Sequence, residues 1–198
     1  MPQLRLTLLG GFQARNQAGE VLSVPSRKAQ AMLAYLALPL GRAHPRDKLA
    51  ALLWGGIREE SARASLRQAL FVVRKALQDA DADALDQRAD TLRLEPAHVD
   101  ADVAAFELAA ATGTPESLAQ AASLYQGDLL AGLALDEAPF EEWLVSERER
   151  LRELALEVLA RLLAHQRKSA RADRPKRPFG PRCSCSRSIR SRRRSTES

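Results

Sequence analysis

The most distinctive chemistry in this sequence lies in a segment over residues 61–78, where long cations and amides recur at helical spacing. Its candidate contact residues are Arg63, Arg67, Gln68, Phe71, Arg74 and Lys75. Arg and Gln side chains hydrogen-bond base edges in the major groove of DNA, long cations pair with phosphates, and an apolar ring meets the thymine methyl group. The segment therefore suits the recognition of double-stranded DNA.

A helical wheel at about 100° per residue divides this segment into two faces. The apolar face, predicted to pack on a core, holds Ala62, Leu66, Ala69, Leu70, Val73 and Leu77. The opposite face holds Ala64, Gln68, Phe71 and Lys75, flanked by Arg67, Arg74 and Gln78. Two alternatives stay open: the polar face is an ordinary solvated surface, or Phe71 packs on a neighbouring helix. Arg63, near the helix start, is predicted to contact phosphate rather than bases.

The elements that must position this helix follow from the periodicity of the first 95 residues. Leu4, Leu6 and Leu8 alternate with polar residues, which predicts a strand, and residues 21–24 predict a second one before Pro25. Helical spacing predicts helices over residues 28–38, 45–54 and 61–78. Residues 85–88 and 91–95 predict a hairpin. This order predicts an α+β winged helix-turn-helix domain over residues 1–98.

Three further cations are candidates for DNA contact. Arg46 and Lys48 lie early in the second helix, where they could hold phosphate together with the helix N-terminus. Arg88 lies near the hairpin tip and is placed to touch the minor groove or a phosphate. Asp86 and Asp90 flank it and argue against a strongly basic wing. For all three, ordinary surface solvation is the alternative.

From residue 99 onward the pattern predicts helices alone, over residues 101–111, 115–125 and 139–166. The last one carries an apolar stripe of Leu144, Leu151, Leu154, Val158 and Leu162. An all-α domain is therefore predicted over residues 99–166. Residues 167–198 are rich in Arg, Ser and Pro and poor in apolar side chains, which predicts a disordered basic tail.

Charge is segregated along the 198 residues, although the formal total is only +5. Residues 1–79 carry twelve Lys/Arg and five Asp/Glu, a net charge of +7. Residues 80–166 carry six and eighteen, a net of −12, and residues 167–198 carry twelve and two, a net of +10. A basic block attracts polyanions and an acidic block is repelled by them, and the charges of residues 1–79 also fall on the candidate helix, which favours contact with DNA. The alternative is that the charge blocks only keep the protein soluble.

Several other classes of protein are disfavoured. His44, His98 and His165 have no metal-ligand spacing, and Cys183 and Cys185 lack the second pair that a zinc ribbon needs. The sequence shows no phosphate-binding glycine loop and no credible catalytic triad. Neither an apolar run long enough to span a membrane nor a secretory signal is present. We therefore predict a cytoplasmic protein that is not an enzyme and has no metal or cofactor.

Several stretches of the sequence carry a family resemblance. In the first half they are LRLTLLGGF (4–12), RKAQAMLAYL (27–36), LAALLW (49–54), ARASLRQAL (62–70) and VRKAL (73–77). In the second half they are VDADVAAF (99–106), LYQGDLL (124–130), FEEWL (140–144) and ERERL (147–151). Together they resemble the Streptomyces antibiotic regulatory protein family, over about residues 4–166. Each motif alone would be weak evidence.

The resemblance implies an OmpR-type winged helix joined to a bacterial transcriptional activation domain of TPR-like helices. It further implies a regulator that binds repeated promoter sites on double-stranded DNA and contacts RNA polymerase, with self-association on DNA. An alternative from another class is a TPR-like protein-interaction module whose DNA-binding domain is weak or non-functional.

The C-terminus departs from the family pattern, since such domains continue with more helical pairs. One expectation is therefore that the chain is truncated or its tail is out of frame, which would leave the Leu144–Leu162 stripe partly exposed. The rival expectation is that the tail is a nucleic-acid-binding arm.

Overall fold

The structure of the chain, a computed structural model, describes residues 3–78 and 83–172. These residues form six strands and six helices. In chain order the elements are β1 (Leu4–Thr7), β2 (Gln13–Asn16), α1 (Arg27–Ala37), β3 (His44–Pro45), α2 (Arg46–Leu53), α3 (Glu59–Gln78), β4 (Leu85–Arg88), β5 (Thr91–Leu94), β6 (Val99–Ala101), α4 (Asp102–Thr112), α5 (Pro115–Leu124) and α6 (Ala138–Ala172).

The strands form two three-stranded sheets, with the orders β2-β1-β6 and β3-β5-β4. The second sheet is the predicted hairpin, β4 and β5, extended by the two-residue strand β3 that leads directly into α2. In the first sheet β1 is antiparallel to β2 and parallel to β6. Strand, three helices and hairpin therefore follow one another in the predicted order.

Three predictions about the elements were wrong. Residues 21–24 do not form a strand: Val21 makes only an isolated bridge to Arg15. Residues 99–101 are not part of an all-helical region, because β6 pairs with β1 and so returns the chain to the N-terminal sheet. Residues 167–172, assigned to the disordered tail, continue α6. The rest of that tail, residues 173–198, lies outside the described residues.

The two predicted domains share one hydrophobic core. A single cluster of buried side chains runs from β1 and α1 through α3 to Phe106, Phe140 and Leu144. Tyr35 of α1 meets the Trp143 ring of α6 edge-on, with 4.9 Å between ring centroids. Apolar packing is therefore continuous between the first predicted domain, residues 1–98 (the winged-helix half), and the second, residues 99–166 (the helical half).

A carboxylate joins the first sheet to α4. The Leu8 amide donates to Asp102 Oδ1 and Oδ2, and the Leu9 amide donates to Oδ2, each at 2.9 Å. Burial raises the pKa of Asp102, and the hydrogen bonds from Leu9 and Leu8 oppose that rise. Because these two amides lie just past the end of β1, the side chain satisfies donors that the sheet leaves unpaired.

Gly10 allows the loop before α6 to approach β1. Its φ is +101°, and a Cβ there would lie 3.3 Å from Cβ of Gln126. Its amide donates to the carbonyl of Asp128 at 3.1 Å, and the Leu130 amide donates to the carbonyl of Leu8 at 2.8 Å. The glycine is therefore required where backbone from the two halves is in direct contact.

The apolar stripe of α6 is packed. Leu144, Leu151 and Val158 are buried, while Leu154 and Leu162 are partly buried against the same core. The expectation that this stripe is left partly exposed is therefore wrong for Leu144, Leu151 and Val158, whereas Leu154 and Leu162 remain partly exposed. A different face of the same helix carries exposed leucines. None of the described helices is long and apolar enough to cross a membrane.

Candidate nucleic-acid interface

The helix α3 shows the two faces that the wheel predicts. Its buried residues are Ala62, Leu66, Ala69, Leu70, Val73, Ala76 and Leu77. Its exposed residues between positions 63 and 78 are Arg63, Ala64, Arg67, Gln68, Phe71, Arg74, Lys75 and Gln78. The helix thus rests on α1 and α2 through one apolar side and presents a cationic side to solvent.

Phe71 lies in the middle of the exposed side. Its ring is 62% exposed, so it packs neither on α1 nor on the helical half, contrary to the alternative left open by the sequence. The exposed ring, flanked by cations, is therefore available to a bound partner. Its contact with a base remains a prediction.

Arg67, Gln68 and Lys75 are the least constrained polar side chains of this face. None of them forms a hydrogen bond or ion pair with another side chain in the described part of the protein. Arg67 also lines a groove of about 380 Å³, bounded by the start of α2, the first half of α3 and the turn between β4 and β5. These side chains are therefore free to bond to a ligand without first breaking a contact within the chain.

Arg63 is held differently. Its Nε lies 2.9 Å from Asp47 Oδ1, and its Nη2 lies 2.6 Å from Glu59 Oε1. The hydrogen bond and charge of Asp47, followed by the charge of Glu59, raise the pKa of this guanidinium. The predicted phosphate contact would thus compete with two carboxylates. The Glu59 contact is visible in the sequence as an i,i+4 pair, whereas Asp47 is brought in by the tertiary fold.

A glutamine of the hairpin joins two more of the predicted cations. Gln87 Oε1 accepts from Arg46 Nη2 at 3.1 Å and also from Arg74 Nη2. The Arg46 amide donates to the carbonyl of Asp90 at 2.7 Å, and its Nε is buried without a partner among the described residues. The start of α2, the C-terminal part of α3 and the hairpin are therefore connected through the side-chain amide of Gln87. No sequence signal marked Gln87.

The remaining two predicted residues lie at the edge of this region. Lys48 is exposed on α2. Arg88 is exposed at the end of β4, where its Nε lies 3.1 Å from Asp86 Oδ2, an oxygen that Arg93 also contacts at 2.9 Å. The acidic neighbour that the sequence indicated is thus in contact with Arg88, and the hairpin tip is nearly neutral.

The helical half supports the loop that leads into α3. Lys28 Nζ lies 2.6 Å from Glu137 Oε1 and 5.1 Å from the centroid of the Trp54 ring. The Gly56 amide donates to Glu137 Oε2 at 3.4 Å. Glu137, just before α6, therefore anchors both α1 and the turn between α2 and α3. Sequence reasoning did not single out Glu137.

The described residues form no candidate metal site. Residues 3–78 and 83–172 contain no cluster of three or more His, Cys, Asp or Glu side chains that could hold a metal ion. His44 is buried against the Tyr35 ring, 4.9 Å between centroids, and its desolvation lowers its pKa. Cys183 and Cys185 lie outside the described residues.

The comparison with known proteins identifies a similar fold. No protein-family model and no curated protein matches the sequence. Among solved structures, the chain is similar to Mycobacterium tuberculosis EmbR, solved in complex with a low affinity phosphopeptide, with a TM-score of 0.66 and 24% identity. The match covers 86% of this chain and 48% of the EmbR chain, so the chain spans about half the length of that structure. The predicted fold class, a winged helix followed by a helical domain, is confirmed.

Proposed function

We propose that this protein is a sequence-specific DNA-binding transcriptional regulator whose α3 enters the major groove of a promoter. One observation carries the proposal: the exposed face of α3 presents Arg67, Gln68, Phe71 and Lys75 without side-chain partners among the described residues. A helix about 10–12 Å across fits the major groove, and these residue types read base edges and phosphates there. The EmbR-like fold and the family resemblance support a regulator.

The finer parts of the proposal follow the family resemblance. Residues 1–98 would bind DNA, and residues 99–166 would form the activation domain that contacts RNA polymerase. Copies of the protein would associate on repeated promoter sites, and transcription would be activated rather than repressed. The shared core and the Glu137 contacts support a rigid connection between the two parts, through which a bound polymerase could be held at a fixed position relative to the DNA.

The test begins by selecting preferred duplexes from a random-sequence DNA pool with the full chain. Affinity is then measured on the selected duplex and on a scrambled one, for the wild type and for Arg67→Ala and Lys75→Ala. If the replaced residue contacts phosphate, the variant binds both duplexes more weakly by the same factor, and the salt slope falls by about 1. If the replaced residue contacts a base, the variant loses about 1–3 kcal/mol of binding free energy on the selected duplex, and specificity is relaxed at one base position only.

Arg5→Ala is the matched control. It removes the same charge from an exposed cation that lies on β1, outside the proposed interface, where it pairs with Asp100. Its DNA affinity should stay close to that of the wild type. Unchanged affinity in both α3 variants would contradict the assignment of this helix. Selection of no preferred duplex would favour the alternative, a protein-interaction module with a weak DNA-binding domain.

A further inference from the structure

The C-terminal half of α6 has a second apolar face, which is exposed to solvent, unlike the buried stripe of the same helix. Leu156, Leu159 and Leu163 are 62%, 46% and 53% exposed. Their spacing of three and four residues places them in one line along the helix, which is the spacing of a helix–helix seam. The buried residues Leu151 and Val158 lie on another side of the helix, and these leucines are not among the residues of the buried core.

The flank of this leucine face is polar and ordered by charge. Glu153, Ala160 and Arg167 follow one another at intervals of seven residues, and all three are exposed. Glu153 and Arg167 form no ion pair with another residue in the part of the chain that the structure describes. The flank thus begins with a free carboxylate, ends with a free guanidinium, and has a methyl group in the middle that allows a second helix to come close.

We propose that this leucine face binds the same face of a second copy of the chain, with the two α6 helices antiparallel. An antiparallel pair centred near Ala160 places Glu153 of each copy beside Arg167 of the other, so both charges are paired. In a parallel pair this flank would lie on opposite sides of the seam in the two copies, so Glu153 of one copy would not meet Arg167 of the other and both charges would stay unpaired. The charge order along the flank therefore selects the antiparallel arrangement.

The dimer is weak, because three leucines a side cover much less than the area of about 1,600 Å² that stable interfaces bury. It forms at high local concentration, such as that of two copies on neighbouring DNA sites. The inference deepens the self-association included in the proposed function. It is tested in the absence of DNA, so that its failure leaves the DNA-binding proposal unaffected.

Charge reversal provides the sharpest experiment. The self-association of the full chain is measured by sedimentation equilibrium at low salt, from micromolar to millimolar concentration. Glu153→Arg and Arg167→Glu should each weaken the dimer by about tenfold, since two surface ion pairs become two repulsions. A mixture of the two variants should regain association, because each pair in the mixed dimer again joins opposite charges. The double variant should regain it as well.

Two further variants test the leucine face itself. Leu159→Glu should abolish association, and circular dichroism should show an unchanged fold because the side chain is exposed. Leu108→Glu is the control: Leu108 is 71% exposed on α4, and its replacement should leave association unchanged. The proposal is overturned if the wild type stays monomeric throughout, if Leu159→Glu still associates, or if the mixture of charge variants fails to associate.

Discussion

The helices α3 and α6 are built alike on one side and differently on the other. Each buries an apolar stripe, through Leu66, Leu70 and Val73 in α3 and through Leu144, Leu151 and Val158 in α6. The exposed side of α3 combines cations, amides and one aromatic ring, whereas that of α6 combines leucines with separated charges. Both buried stripes consist of Leu and Val side chains that pack on the core. The distinct roles that we propose, DNA contact for α3 and self-association for α6, therefore depend on the exposed sides.

The largest effects should come from the buried stripes. Leu66→Ala and Leu151→Ala should each lower the free energy of unfolding by about 2–5 kcal/mol, because each leaves a cavity in the shared core. Phe71→Ala and Leu156→Ala are the matched controls on the exposed sides and should change it by about 0.5 kcal/mol or less. Chemical denaturation measures all four. If Phe71→Ala were as unstable as Leu66→Ala, the ring would have to pack within the protein. That result would contradict the division of α3 into a buried and an exposed side.

A smaller effect should come from the Asp102 carboxylate, which joins the first sheet to α4. Asp102→Ala removes the acceptor of the Leu8 and Leu9 amides, and leaving these donors unpaired should cost about 1–3 kcal/mol. Because one core spans both halves, the whole protein should unfold in a single transition at lower denaturant concentration.

Asp100→Ala is the control for that measurement. Asp100 on β6 forms a solvent-exposed pair with Arg5 on the neighbouring strand β1, and its loss should cost at most about 1 kcal/mol. Separate transitions for the two halves in Asp102→Ala would mean that the region around α6 folds independently of the region around α3.

The smallest effect concerns the availability of cations on α3. Asp47→Asn removes one of the two carboxylates that hold Arg63, so this guanidinium should become more available to phosphate. Affinity for DNA of any sequence should rise by about two- to fivefold, the equivalent of one modest surface pair. The measurement is a titration of scrambled duplex at low salt, and Asp136→Asn, on an exposed loop residue outside this region, controls for net charge. Weaker binding by Asp47→Asn would indicate that the carboxylate positions Arg63 rather than withholding it.

Much of the fold could be predicted from the periodicity of apolar residues. Each error has its cause in one short segment of the chain. Leu4 and Leu6 of β1 and Leu92 and Leu94 of β5 were placed correctly because alternation extends over four residues in each of these two strands. The strand β6 has only three residues, too few to show a period, and becomes a strand because β1 offers a free edge beside it. Residues 21–24 have the composition of a strand, but only Val21 finds a bridging partner.

In the candidate site, too, some features could be predicted from the sequence and others could not. The exposure of Arg67, Gln68, Phe71 and Lys75 follows from helical geometry, and the sequence predicted it. The restraint of Arg63 by Asp47 and the bonding of Arg46 and Arg74 to Gln87 join residues 13 to 41 positions apart. No local pattern encodes such contacts, because they arise only when α2, α3 and the hairpin are packed together.

By itself, then, the sequence determined which side of each helix is apolar, since that depends only on residue type and on the fixed rotation between neighbouring residues. The tertiary structure decided which of those sides finds a partner. It buried the stripe of α6 that runs through Leu144 and Leu151 and left Leu156, Leu159 and Leu163 in solvent. The physical reason is that burial requires a second surface, and the position of that surface is set by the packing of distant elements.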